Sequence, residues 1–387
     1  MPLLLLGLAA TVTWGRPAPA SAAPYLPKAD EEVLETLPGQ TASGWLRAAV
    51  EAAPREPSDV LGAVARARAE LKQYQESADP RFLGRAEAAL GSFWDEPKPP
   101  LPVLVLRARV RQSNHEFLPA LADLDEALKQ DPEDGQALLD RASILTVLGR
   151  YAAARGDCER LAGRTLPLYV AGCRAAIAGV TGSARPATAE LSHALLAQRM
   201  EPEEQCWAES LLGELWTRLG DEAAAEAHFR TVLATCPGDS YGAGALADLL
   251  LDQGRNAEVT SLLSGQVRQD ALLLRLTIAE RQLQSASFDA HLADLRQRFE
   301  EAHLRGSSVH RREEARFELA VQRAAGRALT LALENFRVQR ETADVRIALE
   351  AALAAGHPES VAEVVVFARG SGMEDPHVAR LLARFPR

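Results

Sequence analysis

The chain has 387 residues, a formal net charge of −10, 47% hydrophobic residues and only 5% aromatic ones. An acidic balance without a basic cluster argues against a nucleic-acid binder, because neutralising phosphates dominates that affinity. Of 43 basic residues only Lys28, Lys72, Lys98 and Lys129 are lysines, so the many arginines reflect a composition rich in Ala, Leu, Arg and Glu. Those residues favour helix, while β-branched and aromatic residues are sparse.

In chain order, the first element is an apolar run, Leu3 to Val12, followed by a small-residue stretch ending in Ala20-Ser21-Ala22. This is the layout of a secretory signal peptide over residues 1–22, with an A-x-A site. The run is too short to span a bilayer, and no Lys or Arg precedes it; a disordered Ala/Pro-rich leader is the alternative. No later stretch has the apolar length of a transmembrane helix. Residues 23–57 are expected to form short helices interrupted by Pro38, Pro54 and Pro57.

From residue 58 to 376 the chain repeats. One small or apolar slot recurs at Ala86, Ala120, Ala154, Ala187, Ala225, Val259, Leu292, Ala328 and Val361. Four residues later stand Leu90, Leu124, Cys158, Leu191, Phe229, Leu263, Arg296, Ala332 and Val365. The steps are 34, 34, 33, 38, 34, 33, 36 and 33 residues. A second slot at Ala108, Ala142, Ala175, Gly213 and Ala247 repeats the same irregular 38-residue step. Residues four apart share a helix face, so each period reads as two packed helices. Gly149, Gly182, Gly220, Gly254 and Gly356 fall between the paired helices, where a left-handed residue ends the first helix. Residues 377–387 predict a closing cap helix.

Leu212-Gly213, Trp216, Gly220, Ala225, Phe229 and Pro237 together resemble the tetratricopeptide repeat, a helix–turn–helix unit of 34 residues. The likeness is clearest over 101–163 and 206–264 and fades over 270–340, where Arg296 and Arg316 replace apolar or small residues. It implies an all-α superhelix of about eight to nine hairpins. Asp79 to Leu90 and His310 to Phe317 are also similar to segments of an uncharacterised group of bacterial secreted repeat proteins, a likeness that implies architecture alone.

Four cysteines complete the framework. The repeat phase brings Cys206 and Cys236 to adjoining ends of one hairpin, and places Cys158 and Cys173 on neighbouring helices of successive units. Disulfides Cys206–Cys236 and Cys158–Cys173 are expected, each worth roughly 3–4 kcal/mol in a chain-entropy account. Four buried free thiols are the alternative.

No catalytic motif, metal-ligand spacing or phosphate-cradling glycine loop is present, so no enzyme activity, cofactor or metal is expected. His303 and His310, with Glu313 and Glu314 beyond, are the one pairing to weigh as a site in the degenerate 270–340 region. The simpler reading there is a helix start at Ser307 or Ser308 with first-turn glutamates.

The resemblance implies a concave face, lined by the first helices, that holds a protein or peptide. Outward first-helix positions are Arg109, Gln112, Ser143, Thr146, Tyr169, Trp207, Glu214, Tyr241, Asp248, Arg281 and Arg346. Their mixed charges differ from the Lys/Arg clamp of members that bind acidic C-terminal tails. Aromatic and arginine side chains are the usual interface anchors, which singles out Trp207, Tyr241 and Arg281, with Tyr169 the third aromatic of this face; ordinary packing between repeats is the alternative for each of the three aromatics. The expected function is a scaffold or adaptor in the cell envelope; a cytosolic repeat regulator and an enzyme using 270–340 are the alternatives. Mass spectrometry of the mature protein should find its N-terminus at Ala23; an intact Met1 in a cytosolic fraction would remove the export reading.

Overall fold

The computed structural model describes residues 59–77, 79–197, 199–304 and 311–386, and every regular element among them is helical. In order these are α1 (Val60–Ser77), α2 (Arg81–Leu90), α3 (Leu101–Ser113), α4 (Phe117–Gln130), α5 (Gly135–Val147), α6 (Tyr151–Arg160), α7 (Pro167–Ala178) and α8 (Ala184–Leu196). There follow α9 (Pro202–Leu219), α10 (Glu222–Thr235), α11 (Ser240–Asp252), α12 (Asn256–Leu263), α13 (Asp270–Leu283) and α14 (Phe288–Leu304). The chain closes with α15 (Arg311–Arg316), α16 (Ala325–Phe336), α17 (Thr342–Ala355), α18 (Ala362–Ser371) and α19 (Pro376–Leu382). They make nine hairpins, each an odd-numbered first helix and an even-numbered second helix, plus the cap α19. The leader and residues 23–57 lie outside the described residues.

Local chemistry sets the boundaries. Asp134, Asp221, Asp239 and Asp375 accept hydrogen bonds from the first-turn amides of α5, α10, α11 and α19, as N-caps do. Hairpin turns need one residue at positive φ. Gly149, Gly182, Gly220, Gly254 and Gly356 supply it, and where glycine is missing His115, Gln284 and Arg323 take the same left-handed conformation.

The two repeat slots meet inside each hairpin. Ala86, Ala120, Ala154, Ala225, Val259, Ala328 and Val361 are fully buried. In the fifth hairpin a Cβ on Gly213 would lie 2.5 Å from the Phe229 ring, so the absence of a side chain on α9 is what admits the phenylalanine from α10.

The degenerate units keep the hairpin and change its details. The expected slots Leu292 and Arg296 are displaced by three residues: Leu295 and Phe299 are buried, whereas Arg296 is exposed and donates to Gln322. Helix α14 has rotated so that the arginine reaches water and the leucine beside it fills the core. In the eighth hairpin α15 runs on as a π-helical turn, Phe317–Gln322, which ends at Arg323. Such a turn shifts the side-chain register, and it begins immediately after Arg316, the bulky residue in the small slot.

The superhelix then folds back on itself. Arg340 N–H donates to Val147 O at 2.7 Å, and Glu374 Oε2 accepts from Ala184 N–H at 2.9 Å, capping α8, which has no side-chain cap of its own. Tyr151 meets Phe367 at 6.2 Å between ring centroids, and Arg340 stacks on both Phe336 and Phe367. The eighth and ninth hairpins therefore pack against the turns of the third to sixth.

Gly213→Leu should lower stability by about 1–3 kcal/mol, the usual cost of overpacking a filled core. An unchanged urea midpoint would show that α9 and α10 do not interlock at this point.

Candidate interaction groove

Four successive first helices, α5, α7, α9 and α11, present the same three positions in register, seven and then four residues apart. The N-terminal row is Gln136, Tyr169, Trp207 and Tyr241; the middle row is Ser143, Ala176, Glu214 and Asp248; the C-terminal row is Val147, Val180 (in the turn just after α7), Arg218 and Asp252. Residues seven and eleven apart lie on one helix face, so the rows run across the inner face of the superhelix.

The C-terminal hairpins occupy the middle and C-terminal rows. Arg316 Nη1 donates to Asp248 Oδ1 at 2.5 Å, while Arg275 Nη2 holds Oδ2 at 2.5 Å. Arg346 grips Asp252 with two bonds of 2.6 Å and pairs with Glu350 at 2.8 Å. Arg218 donates to Glu214 at 3.2 Å. Burial raises the Glu214 carboxyl, helped by Glu341 and opposed by Arg218 and Arg312. Asp344, fully buried in α17, accepts from Arg312 and Asn335 at 2.6 Å, and burial pushes it up to about 6 despite Arg312. At Asp248 burial acts upward, but Arg275 and Arg316 outweigh it and hold the carboxyl at about 2.

Sequence reasoning placed Glu214, Asp248, Arg109 and Arg346 on an open face. The structure commits all four to partners within the chain, Arg109 to Asp140 at 2.7 Å. Arg109 is taken by the neighbouring hairpin and Glu214 by its own helix, while the fold-back brings residues 68 and 94 positions away onto Asp248 and Asp252. Arg281 is half-buried and makes no hydrogen bond or ion pair with the described residues.

The N-terminal row differs. Tyr241 is 58% exposed. Tyr169 and Trp207 are half-buried with ring centroids 5.7 Å apart, and Tyr169 Oη donates to Glu204 Oε1 at 2.5 Å, which pushes the phenol up to about 12. Trp207 is also a packing residue: a Cβ on Gly172 would lie 2.1 Å from its ring. Tyr241 thus stands apart from the core, whereas Trp207 is packed into it.

Both cysteine pairs meet at disulfide distance: Cys158 with Cys173, Cα atoms 5.6 Å apart, and Cys206 with Cys236, 6.5 Å apart. His303 Nε2 lies 2.8 Å from buried Glu314, which Arg327 also contacts at 2.9 Å. This is an ion-pair network beside a small cleft walled by Phe299, Arg311 and Leu331. His310, Ser307 and Ser308 lie outside the described residues. No metal-ligand cluster is present among the described residues, nor any helix long and apolar enough to cross a membrane.

One repeated device escaped the sequence reading. Arg107 clasps Asp123, Arg141 clasps Asp157 and Arg174 reaches Glu190, each from first helix to second, sixteen residues on. Arg141 and Arg174 also hold Asp125 and Glu159 of the preceding hairpin. The recurrence of Arg immediately before the small slot was the available signal.

No protein-family model and no curated protein matches the sequence. Among solved structures, the chain is similar to the human IFIT1 dimer with PPP-AAAA at 17% identity and TM-score 0.50, covering 80% of this chain and 72% of that one. It is similar to a chain of the APC/C hetero-tetramer Cut9–Hcn1 at 14% identity and TM-score 0.50, covering 84% of this chain and 63% of the other. A tetratricopeptide repeat protein from Parabacteroides merdae ATCC 43184 matches over 83% of this chain and 96% of its own at 14% identity and TM-score 0.33. The shared feature is the fold, an all-α superhelix of tetratricopeptide-like hairpins.

The Asp248 carboxyl, at about 2, lies below the roughly 3.9 of an unfolded aspartate. The unfolded chain therefore binds the proton first. Stability from this carboxylate is complete above about pH 4 and is lost as pH falls towards about 2. The difference in urea midpoint between wild type and Asp248→Asn should shrink on acidification through that window; a constant difference would mean the charge contributes nothing.

Proposed function

We propose that this chain is a protein-interaction scaffold of the cell envelope. It holds a partner protein or peptide on the N-terminal row of its inner face. The observation that carries this reading is the contrast between rows: two are filled by the chain's own C-terminal hairpins, and the third leaves aromatic side chains towards solvent. Tyr241, Trp207 and Tyr169 are the direct anchors in this reading, with Arg281, near the C-terminal end of α13, as a flanking anchor. Arg109, Glu214, Asp248 and Arg346 act by fixing the walls around them. Interfaces concentrate their energy on such aromatic and arginine residues. The leader pattern and the two cysteine pairs support an oxidising compartment outside the cytoplasm.

The test is affinity purification with crosslinking from the native envelope, using wild type, Tyr241→Ala and the Trp207→Ala/Tyr241→Ala pair. Partner recovery should fall at least about tenfold in the double variant, equal to about 1.4 kcal/mol, with the helical circular dichroism retained. Undiminished recovery from a folded double variant would move the site to another face. Because Trp207 packs on Gly172, the single Tyr241→Ala variant is the cleaner probe if the double variant unfolds.

A further inference from the structure

The inner face already shows what it recognises. Its carboxylates at Asp140, Asp248 and Asp252 each hold a guanidinium: Arg109, Arg275 with Arg316, and Arg346. The open N-terminal row continues this chemistry. Beside Tyr169 and Trp207, the first turn of α9 carries Glu203 and Glu204. Glu204 accepts a hydrogen bond from the Tyr169 hydroxyl with one oxygen and from the Glu201 amide with the other, closing the capping box of α9. Donation to a carboxylate makes the phenol ring richer in electrons, and an aromatic face attracts cations and repels anions. Glu203 faces across the groove to Lys72 of α1, four hairpins earlier, at 3.5 Å with both side chains largely exposed. A lysine of the chain itself thus approaches this row. Exposed pairs of that kind contribute little stability, so an incoming cation displaces it at little cost.

Resting on the scaffold reading above, we infer that the partner segment is basic: an extended peptide whose arginine or lysine side chains lie over the Tyr169–Trp207 pair and over Tyr241 and pair with Glu203. Tyr169 and Trp207 are in ring contact and form one platform, with Tyr241 on the next first helix, so the pair and Tyr241 each receive a side chain. A partner with an acidic tail would meet both the ring faces and the glutamates unfavourably. A neutral proline-rich segment would use the rings and leave the carboxylates without function.

The test uses the full oxidised chain and three fluorescein-labelled peptides of equal length: one with four arginines spaced by Gly and Ser, its glutamate counterpart, and a neutral proline-rich one. Fluorescence anisotropy at low and physiological salt gives the affinities. The arginine peptide should bind, weakening as salt rises, and the other two should not. Tyr241→Ala and Glu203→Gln should each weaken binding at least about fivefold, while Glu300→Gln, which removes an exposed acid from α14, should leave it unchanged. Equal loss in Glu300→Gln, or no loss in Tyr241→Ala, would reduce the binding to general attraction between an acidic protein and a polycation, and overturn the inference. So would preference for the glutamate or proline peptide. If the arginine peptide fails but native-partner recovery still depends on Tyr241, the basic-segment inference falls and the scaffold stands. If recovery is also independent of Tyr241, both fall.

Discussion

The approach of the C-terminal hairpins to the turns of the third, fourth and fifth governs the rest of this molecule, and three glycines permit it. Gly149, Gly182 and Gly220 sit at φ 72°, 76° and 76°, a region in which a side chain is strained. The same positions are where the returning chain arrives. A Cβ there would lie 2.8 Å from Phe367, 3.0 Å from the Gly372 carbonyl and 3.2 Å from Pro376. Turn geometry alone does not demand glycine, since His115, Gln284 and Arg323 make the equivalent bend elsewhere in the chain. At Gly149 and Gly182 it is the close contact that adds the second requirement. A solenoid whose units touch only their neighbours can tolerate a bulky turn; one that folds back across its own turns cannot.

Polar contacts decide where the returning hairpins stop. Buried ion pairs are weak evidence of net stability, because desolvation offsets much of the attraction. Their use here is better read as register. Arg316 on Asp248 and Arg346 on Asp252 fix two points along α11 one helical turn apart. Glu374 on the α8 amide fixes a third. Sliding the C-terminal hairpins by one turn along α11 would keep at most one of the two arginine pairs and would lose the Glu374 cap. The Arg107, Arg141 and Arg174 clasps do the same work within the array, tying first helix to second and hairpin to hairpin.

Much of this was legible in the sequence because repeats convert spacing into contacts. The 34-residue step, the small slot at Gly213 facing Phe229, the turn glycines and both cysteine pairs all follow from a period and a helix geometry that every unit shares. The slip in α14 was not legible. Leu292 and Leu295 are equally apolar, and only the need of Arg296 for water selects between them. The fold-back was hidden for a different reason. Its contacts join residues 68 to 216 positions apart, and no period relates them. A carboxylate such as Asp248 looks the same in a one-dimensional pattern whether it awaits a ligand or an arginine from the same chain.

That ambiguity bears on how charge on an inner face should be interpreted. Along one first helix, residues seven apart share a face but not a fate. Tyr241 remains in solvent, and Asp248, two turns further on, is held by two arginines. What separates them is position along the helix axis, because the returning hairpins cover the C-terminal ends of the first helices and leave the N-terminal ends open. Binding chemistry in this chain therefore has to be read from the open ends, and the charges deeper along the helices belong to the architecture that keeps those ends apart.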